Sequence, residues 1–208
     1  QRGGIVDAAG LPPEFQWLRT PEADRLFRLG DDGLTLIGRE SIGSWYEQAL
    51  VARRQEHHVY VAETTLTAFA PETYQQAAGL TTYYNRHKFH ALMLTHDPAL
   101  GRVLTIMSCA GDWPDGALTH PLTAPVPIGD GPVEMQVTVD GAAQQFAWRQ
   151  DGDWQAIGPA LDASVISDEG GRGEHASFTG AFVGMVAFDV SGRACEATFD
   201  SFSYAPRA

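Results

Sequence analysis

The strictest constraint on the fold is the alternation of apolar and polar residues over residues 133–139. A period of two places every second side chain on the same face of a β-strand. Asp140-Gly141 follows directly and supplies the positive φ values that a two-residue hairpin turn needs. Residues 144–149 then form the returning strand. This segment therefore predicts an antiparallel β-hairpin.

Similar strand patterns recur along almost the whole chain, whereas helical periodicity is scarce. The 22 glycines and 12 prolines fit many short strands joined by turns. Short helices are predicted only at residues 21–29 and 159–164, and residues 111–132 form a long irregular connection with one short strand. The other strands are predicted at residues 34–37, 49–53, 59–69, 79–84, 89–94, 102–109, 180–189 and 194–204.

This pattern gives about eleven to thirteen strands and no alternation of strands with helices. So many strands bury one face each only if two sheets pack together. We therefore predict an all-β fold, a two-sheet antiparallel β-sandwich with about five to seven strands per sheet. No internal repeat or linker divides the sequence, which predicts one domain over residues 1–208 with a core at about residues 15–204.

The charge balance excludes several classes of partner. The chain has 14 Lys and Arg against 26 Asp and Glu, a formal net charge of -12. This charge repels phosphate backbones and anionic lipids, so we expect no nucleic-acid and no membrane partner. A neutral ligand such as a sugar is compatible with it. The sequence begins at Gln1, not Met, without a signal-peptide pattern, so we expect a processed chain or a fragment, and the compartment stays open.

Cysteines and histidines give no strong signal of a reactive or metal site. Cys109 and Cys195 both lie in apolar strand-like stretches, which favours two buried free thiols over a single disulfide bond. The adjacent pair His57 and His58 points to opposite faces of a strand, and the remaining histidines lack metal-site spacing. We therefore expect scattered surface histidines, His87 and His90 among them.

The carboxylates do not form a glycosidase pair. Glu196 and Asp200 share a face of the last strand, but four residues separate them by about 13 Å. Glycosidases hold their two carboxyl groups roughly 5 Å or 6.5–9.5 Å apart. Asp168 and Glu169 are adjacent in a glycine-rich loop without an evident third partner. A stand-alone sandwich hydrolase is therefore disfavoured.

Aromatic side chains leave a carbohydrate-binding role open. Tryptophans and a tyrosine pair could stack on sugar rings, although an aromatic residue in a sandwich more often belongs to the core. Trp113 lies in the irregular connection and is the one most easily exposed. The aromatic residues considered are Trp17, Trp45, Trp113, Trp148, Trp154, Tyr83 and Tyr84.

Several segments together resemble one known family. They are QWLRTP at residues 16–21, QALVARRQ at 48–55, FAP at 69–71, AGLTTYYN at 78–85, SDE at 167–169, FTGAFVGM at 178–185 and ATFDSF at 197–202. This combination is similar to the C-terminal concanavalin A-like β-sandwich (a jelly-roll) of the β-xylosidases of glycoside hydrolase family 43. The resemblance covers about residues 15–204.

The resemblance implies an ancillary domain that is inactive alone. In that family, two Asp and one Glu on an N-terminal five-bladed β-propeller of the same polypeptide perform inverting hydrolysis. The sandwich packs on the propeller, and a loop brings a Phe to the active-site pocket, where a xylo-oligosaccharide or an arabinoside binds. The rival function is a carbohydrate-binding module that recognises xylan-type polysaccharide through exposed aromatic residues.

By motif position the pocket Phe is Phe178, on the loop over residues 167–177. The family pattern changes just before it, at residues 174–177, which adds His175 as a contributor beside Asp168 and Glu169. Three loop glycines at positions 170, 171 and 173 can adopt positive φ values, which lets the loop project far from the rim of the sandwich. An apolar ring at the tip excludes water and limits the depth of the pocket.

The resemblance also bears on metal binding. Sandwiches of this kind sometimes hold a structural Ca²⁺ near the chain ends, and Asp200 is the residue we would expect in its shell. Calcium needs six to eight oxygen ligands, and only this one side chain suggests itself. We therefore expect no metal and no other cofactor.

Overall fold

The computed structural model describes residues 10–111, 116–170 and 179–207. Its strands form two seven-stranded sheets in which every strand pairing is antiparallel. The strands are β1 (Phe15–Trp17), β2 (Phe27–Gly30), β3 (Gly33–Ile37), β4 (Ala49–Arg54), β5 (Val59–Ala68), β6 (Gln76–Asn85), β7 (Lys88–Asp97), β8 (Gly101–Ala110), β9 (Val126–Pro127), β10 (Val133–Asp140), β11 (Ala143–Arg149), β12 (Gln155–Asp162), β13 (Phe182–Asp189) and β14 (Glu196–Pro206).

The strand order shows how the chain crosses between the two sheets. Sheet I has the order β1-β4-β13-β6-β7-β8-β9, and sheet II has the order β12-β11-β10-β5-β14-β3-β2. Long crossovers place β13 in the middle of sheet I and β14 in the middle of sheet II. The predicted two-sheet antiparallel sandwich is therefore confirmed, at the upper end of the expected number of strands per sheet.

The hairpin that was predicted from alternation is present. Asp140 pairs with Ala143 and Val137 with Phe146, so the two turn residues are Gly141 and Ala142, one position beyond the expected Asp140-Gly141, and only Gly141 has a positive φ, +57°. Val133, Met135 and Val137 are fully buried, while the residues between them are partly exposed. Alternation therefore identified both the pairing and the buried face correctly.

The main core lies between the sheets. Sheet I contributes the inward residues of β4, β6, β7, β8 and β13, and sheet II contributes those of β3, β5, β10, β11 and β14. Leu80, Leu92 and Met185 represent the first set, and Phe146 and Phe199 the second. Each is at most 1% exposed, as expected for side chains at the contact between two packed sheets.

The outer face of sheet I is buried as well, beneath residues 38–48. Ile42 from this segment joins a second apolar cluster with Phe89 and Met93. Gln48 donates from Nε2 to the carbonyl of Ile42, and Tyr83 OH donates to Gln48 Oε1 over 3.0 Å. Burial raises the pKa of Tyr83 to about 12, so its hydroxyl stays a donor. We call residues 38–48 the covering segment.

The two predicted helices are largely wrong. Residues 159–162 belong to strand β12, and only Ala163–Val165 form a single 3₁₀ turn. Residues 21–29 contain a 3₁₀ turn at Ala23–Arg25 and most of β2. These segments are strands because they pair with β11 and β3. The local sequence pattern does not show such pairing partners. No described helix is long and apolar enough to cross a membrane.

The described part of the chain has fourteen strands, more than the expected eleven to thirteen, because β1, β2 and β12 were not predicted. The one short strand expected within residues 111–132 is β9. Both cysteines are free thiols, as favoured. The expected burial holds for Cys109, whereas Cys195 is partly exposed.

Candidate functional site

The loop that follows Ser167 leaves from one end of the sandwich and returns at Thr179. Phe178 and His175 lie outside the described residues, as do Gly171 and Gly173. What the structure describes is the base of the loop, residues 167–170 and 179–181. This loop base lies beside the ends of β4 and β6 and the start of β7, whose side chains hold it.

One tyrosine hydroxyl joins the two sides of the loop base. Tyr84 OH donates to Oδ1 of Asp168 and accepts a hydrogen bond from the backbone N–H of Thr179 over 3.0 Å. The N–H of Gly180 donates to the same Asp168 oxygen over 3.2 Å. Pairing of β6 with β7 shifts register between Tyr83 and Asn85, and this irregularity includes Tyr84.

Lys88 at the start of β7, the only lysine of the sequence, binds the loop base. Lys88 is 3% exposed, and its ammonium donates to the carbonyl of Ser167 over 3.0 Å. Its Nζ lies 4.0 Å from the centre of the Tyr84 ring, at cation–π distance. A buried ammonium must be stabilised by such partners, so the position of Ser167 is fixed to β7.

Arg54, at the end of β4, holds the returning side. Its guanidinium donates to the carbonyl of Thr179 and lies over the ring of Phe182, 4.9 Å from the ring centre. Gly180 has a φ of +76°, and a Cβ there would lie 2.6 Å from Arg54 Nη1. The positive φ favours glycine at this position, and an added Cβ would also displace the end of the Arg54 side chain.

The electrostatics keep Asp168 ionised. The hydrogen bond from Tyr84 is the largest cause that lowers its pKa, and the N–H of Gly180, the Lys88 ammonium and the Arg54 guanidinium add to it. An exposed carboxylate that is held ionised accepts hydrogen bonds and does not serve as a general acid near neutral pH. Asp168 is therefore suited to holding the loop base.

A polar groove lies on one side of the loop base. It encloses about 480 Å³ between the β4–β5 connection, the β10–β11 turn and residues 163–169. Glu169 is exposed and lines this groove with His57 and His58. Tyr204 OH accepts the backbone N–H groups of Glu56 and His57, both over 3.1 Å, and so fixes the wall. We call it the histidine groove.

A second groove lies on the other side, on the outer face of sheet I. It encloses about 340 Å³. Leu50, Ala52 and Phe182 form an apolar floor, and Arg19 and Arg54 lie at the rim. We call it the arginine groove. Sequence analysis did not identify either groove, because the residues come from segments far apart in the chain.

The histidines are not all at the surface, so that expectation is wrong for two of them. His87 and His90 are buried. His90 lies between Ser108 Oγ, 2.8 Å from Nδ1, and the carbonyl of Asp162, 3.0 Å from Nε2. Burial lowers the pKa of His90 and keeps the ring neutral at pH 7. Within the described residues, no group of three or more His, Cys, Asp or Glu is arranged to hold a metal ion.

The two carboxylates of the last strand have different surroundings. Arg28 binds both carboxylate oxygens of Glu196, which lowers the pKa of that carboxyl through hydrogen bonding. Asp200 is exposed, and the pairing of β14 with β5 shifts register on passing it. Glu196 is therefore part of a surface ion pair, and the expectation of no metal, with Asp200 as the one candidate Ca²⁺ ligand, stays a prediction.

Gly170 is the one loop glycine of the three that lies within the described residues, and its φ is not positive. A Cβ there would lie 2.8 Å from the carbonyl oxygen of Ser164, so glycine permits close packing of the loop base instead.

The aromatic residues divide as the sequence suggested, with most of them packed. Tyr83 and Tyr84 are buried, Trp148 packs against the main core, and Arg149 lies over Trp154. Trp17 and Trp45 are 37% and 44% exposed. Trp113 lies outside the described residues.

Comparison with known proteins identifies the domain. Residues 7–205 match the family described as the β-xylosidase C-terminal concanavalin A-like domain. The chain belongs to this family. It is 52% identical over 202 residues to xylosidase/arabinosidase 43B of Humicola insolens, which covers 95% of the chain and 37% of that protein. It is 37% identical over 192 residues to a β-xylosidase of Bacillus subtilis, covering 91% of the chain and 36% of that protein.

The fold of this family member agrees with that of solved relatives. The xylan β-1,4-xylosidase of Bacillus halodurans superposes with a TM-score of 0.87 at 32% identity, over 94% of this chain and 37% of that one. The chain thus spans little more than a third of the length of these relatives. It corresponds to their ancillary C-terminal domain of glycoside hydrolase family 43.

Proposed function

We propose that this domain completes the active site of a family 43 β-xylosidase or α-L-arabinofuranosidase. It packs on the catalytic β-propeller of the same polypeptide, and its loop brings Phe178 to the pocket that binds a xylo-oligosaccharide or an arabinoside. His175 contributes beside Phe178. Asp168 acts as a positioning residue, with Glu169 next to it at the groove.

The anchored loop base supports this proposal. Tyr84, Lys88 and Arg54 fix both sides of the loop to the ends of sheet I strands. A rigid scaffold of this kind can hold a loop tip in one place against another domain, as binding loops require. The proposal places the reacting carboxylates on the propeller, since Asp168 serves here as a hydrogen-bond acceptor and Glu196 as an ion-pair partner.

The test uses the full-length polypeptide and a small aryl xyloside. We expect Phe178→Ala to lower kcat/KM about tenfold or more with little change in melting temperature, because the ring contacts substrate rather than core. Tyr84→Phe removes the bridging hydroxyl and should lower kcat/KM less. A control variant, Tyr46→Ala, changes an aromatic residue that is 74% exposed on the covering segment. The proposal is overturned if Phe178→Ala retains full activity.

The second candidate function is a carbohydrate-binding module for xylan-type polysaccharide. The exposure of Trp17 and Trp45 favours it. Against it, Arg86 and Arg19 lie over the ring of Trp45, at 4.2 and 5.7 Å from its centre, so its faces are occupied. Loss of xylan binding by the 208-residue chain on Trp17→Ala, together with full activity of Phe178→Ala in the parent, would favour the module.

A further inference from the structure

We propose that the arginine groove binds xylan that carries uronic acid, with the uronate carboxylate held between Arg19 and Arg54. The inference rests on the proposed function only in its choice of a xylan-derived sugar. The groove itself is argued from the described residues.

The first observation is that neither arginine at the rim is paired with a carboxylate among the described residues, unlike five other arginines of the chain. Five others pair with glutamates at 4.0 Å or less: Arg25, Arg28, Arg53, Arg149 and Arg193. Within the described residues, Arg19 and Arg54 form no such ion pair. The positive charge of Arg54 helps to lower the pKa of Asp168, but Tyr84 and Gly180 already donate hydrogen bonds to that carboxylate.

The second observation is that both guanidinium groups are held in the same way. Arg54 donates from Nη1 to the carbonyl of Thr179 and stacks on Phe182. Arg19 donates from Nη1 to the carbonyls of Ser44 and Trp45, with its guanidinium carbon 5.7 Å from the Trp45 ring centre. One nitrogen and one ring therefore fix each group, and no hydrogen bond to another described residue involves Nε or Nη2.

A planar guanidinium fixed in this way is suited to a carboxylate, because its donors match two carboxylate oxygens. The backbone of Arg19 is held in a conformation that non-glycine residues rarely adopt, with a φ of +65°. An unusual backbone conformation is maintained here where the side chain reaches the groove.

The floor of the groove indicates the rest of the ligand. Phe182, Trp17 and Leu18 supply partly exposed apolar surface above the buried Leu50 and Ala52, and Gln16 and Asn85 add amide groups. Apolar surface with a few polar groups suits a sugar ring, which has C–H faces and peripheral hydroxyls. The volume of about 340 Å³ lies in the range of small-molecule sites.

The overall charge limits how acidic the ligand can be. A chain of net charge -12 repels densely charged polyanions. Sparse uronate groups on a neutral pentose chain avoid this repulsion, while two uncompensated arginines attract each carboxylate locally. Glucuronoxylan has this combination of chemistry.

The test uses the 208-residue chain and three polysaccharides in native affinity gels: glucuronoxylan, the same xylan with its carboxyl groups reduced, and neutral arabinoxylan. We expect glucuronoxylan alone to retard the chain, less so in high salt. Titration with an acidic xylo-oligosaccharide should show a dissociation constant raised about tenfold or more by Arg54→Gln and by Arg19→Gln. Arg193→Gln, which removes a paired arginine elsewhere, should bind as the wild type does.

Two further variants keep the test decisive. Arg19→Lys and Arg54→Lys retain the charge and lose the planar fork, so we expect both to weaken binding even if a Gln variant fails to fold. Phe178→Ala should leave binding unchanged, which separates this site from the proposed pocket contact. Equal retardation by the reduced xylan, absence of binding by the wild type, or unaltered binding by folded Arg19 and Arg54 variants would each overturn the proposal.

Discussion

At the scale of single residues, the sequence located Asp168 but not the side chains that hold it. Asp168 could be found because it lies in a glycine-rich loop within a recognisable segment. Tyr84, Lys88 and Arg54 come from other strands, and only the three-dimensional pairing brings them to it. A single lysine in 208 residues was the available signal, since a buried ammonium needs fixed partners.

The buried His90 gives a pH prediction at the same scale. Its pKa is lowered from the ordinary value of 6.5, so below about pH 6.5 the unfolded chain binds a proton that the folded chain does not. The free energy of unfolding is therefore highest above pH 6.5 and falls as the pH drops toward the folded-state pKa. We expect His90→Gln to flatten this decrease, measured by urea unfolding between about pH 5.5 and pH 7.5, one unit on either side of the ordinary value.

The control for this experiment is His58→Gln, because His58 is exposed in the histidine groove. Asp168, Asp189 and Glu196 have lowered pKa values, and their stabilisation is lost only as the pH falls below about 4. Carboxylate titration therefore does not overlap the histidine window. An equally steep decrease in His90→Gln would show that other groups cause it.

At the scale of elements, the sequence correctly predicted the strands and turns that a local pattern of residues determines. The β10–β11 hairpin follows from alternation and from a turn dipeptide that permits positive φ. The short strand β1 was missed because three residues carry no period, and β12 was taken in part for a helix. Both elements exist because a neighbouring strand offers hydrogen bonds, β4 in one case and β11 in the other.

Gly180 provides a prediction for the loop as an element. Gly180→Ala places a methyl group 2.6 Å from Arg54 Nη1 and strains a φ of +76°. Gly192→Ala is the matched control, because its φ is +80° but nothing lies within 4 Å of the added Cβ. We expect the control to lose about 1–2 kcal/mol of unfolding free energy from backbone strain alone.

Gly180→Ala should lose more, and limited proteolysis should cleave its 167–179 loop faster than in the wild type, because the Arg54 contact to Thr179 is displaced. Equal loss of stability and equal cleavage in the two variants would contradict the anchoring role of Arg54.

At the scale of the whole molecule, the sandwich has a second buried face that alternation did not reveal. Strands of sheet I are apolar on both sides, for example Leu92 inward and Met93 outward on β7. Such continuous apolar runs are expected when both faces of a sheet are covered. The covering segment itself reads as a polar loop with one isoleucine, so its role could not be inferred from pattern.

Ile42 tests whether this second cluster belongs to the same cooperative unit as the main core. Its side chain is 1% exposed against the outer face of sheet I, so Ile42→Ala should lower the unfolding free energy by about 2–5 kcal/mol, as in other buried sites. Leu100→Ala, at a half-exposed hairpin turn, should change it by about 0.5 kcal/mol or less.

Since both clusters share sheet I, we expect Ile42→Ala and Leu80→Ala to shift one common urea transition seen by tryptophan fluorescence and circular dichroism alike. If Ile42→Ala leaves that transition in place and only exposes the covering segment to exchange, the covering segment is an independent flap and the stability of the sandwich resides between its sheets alone.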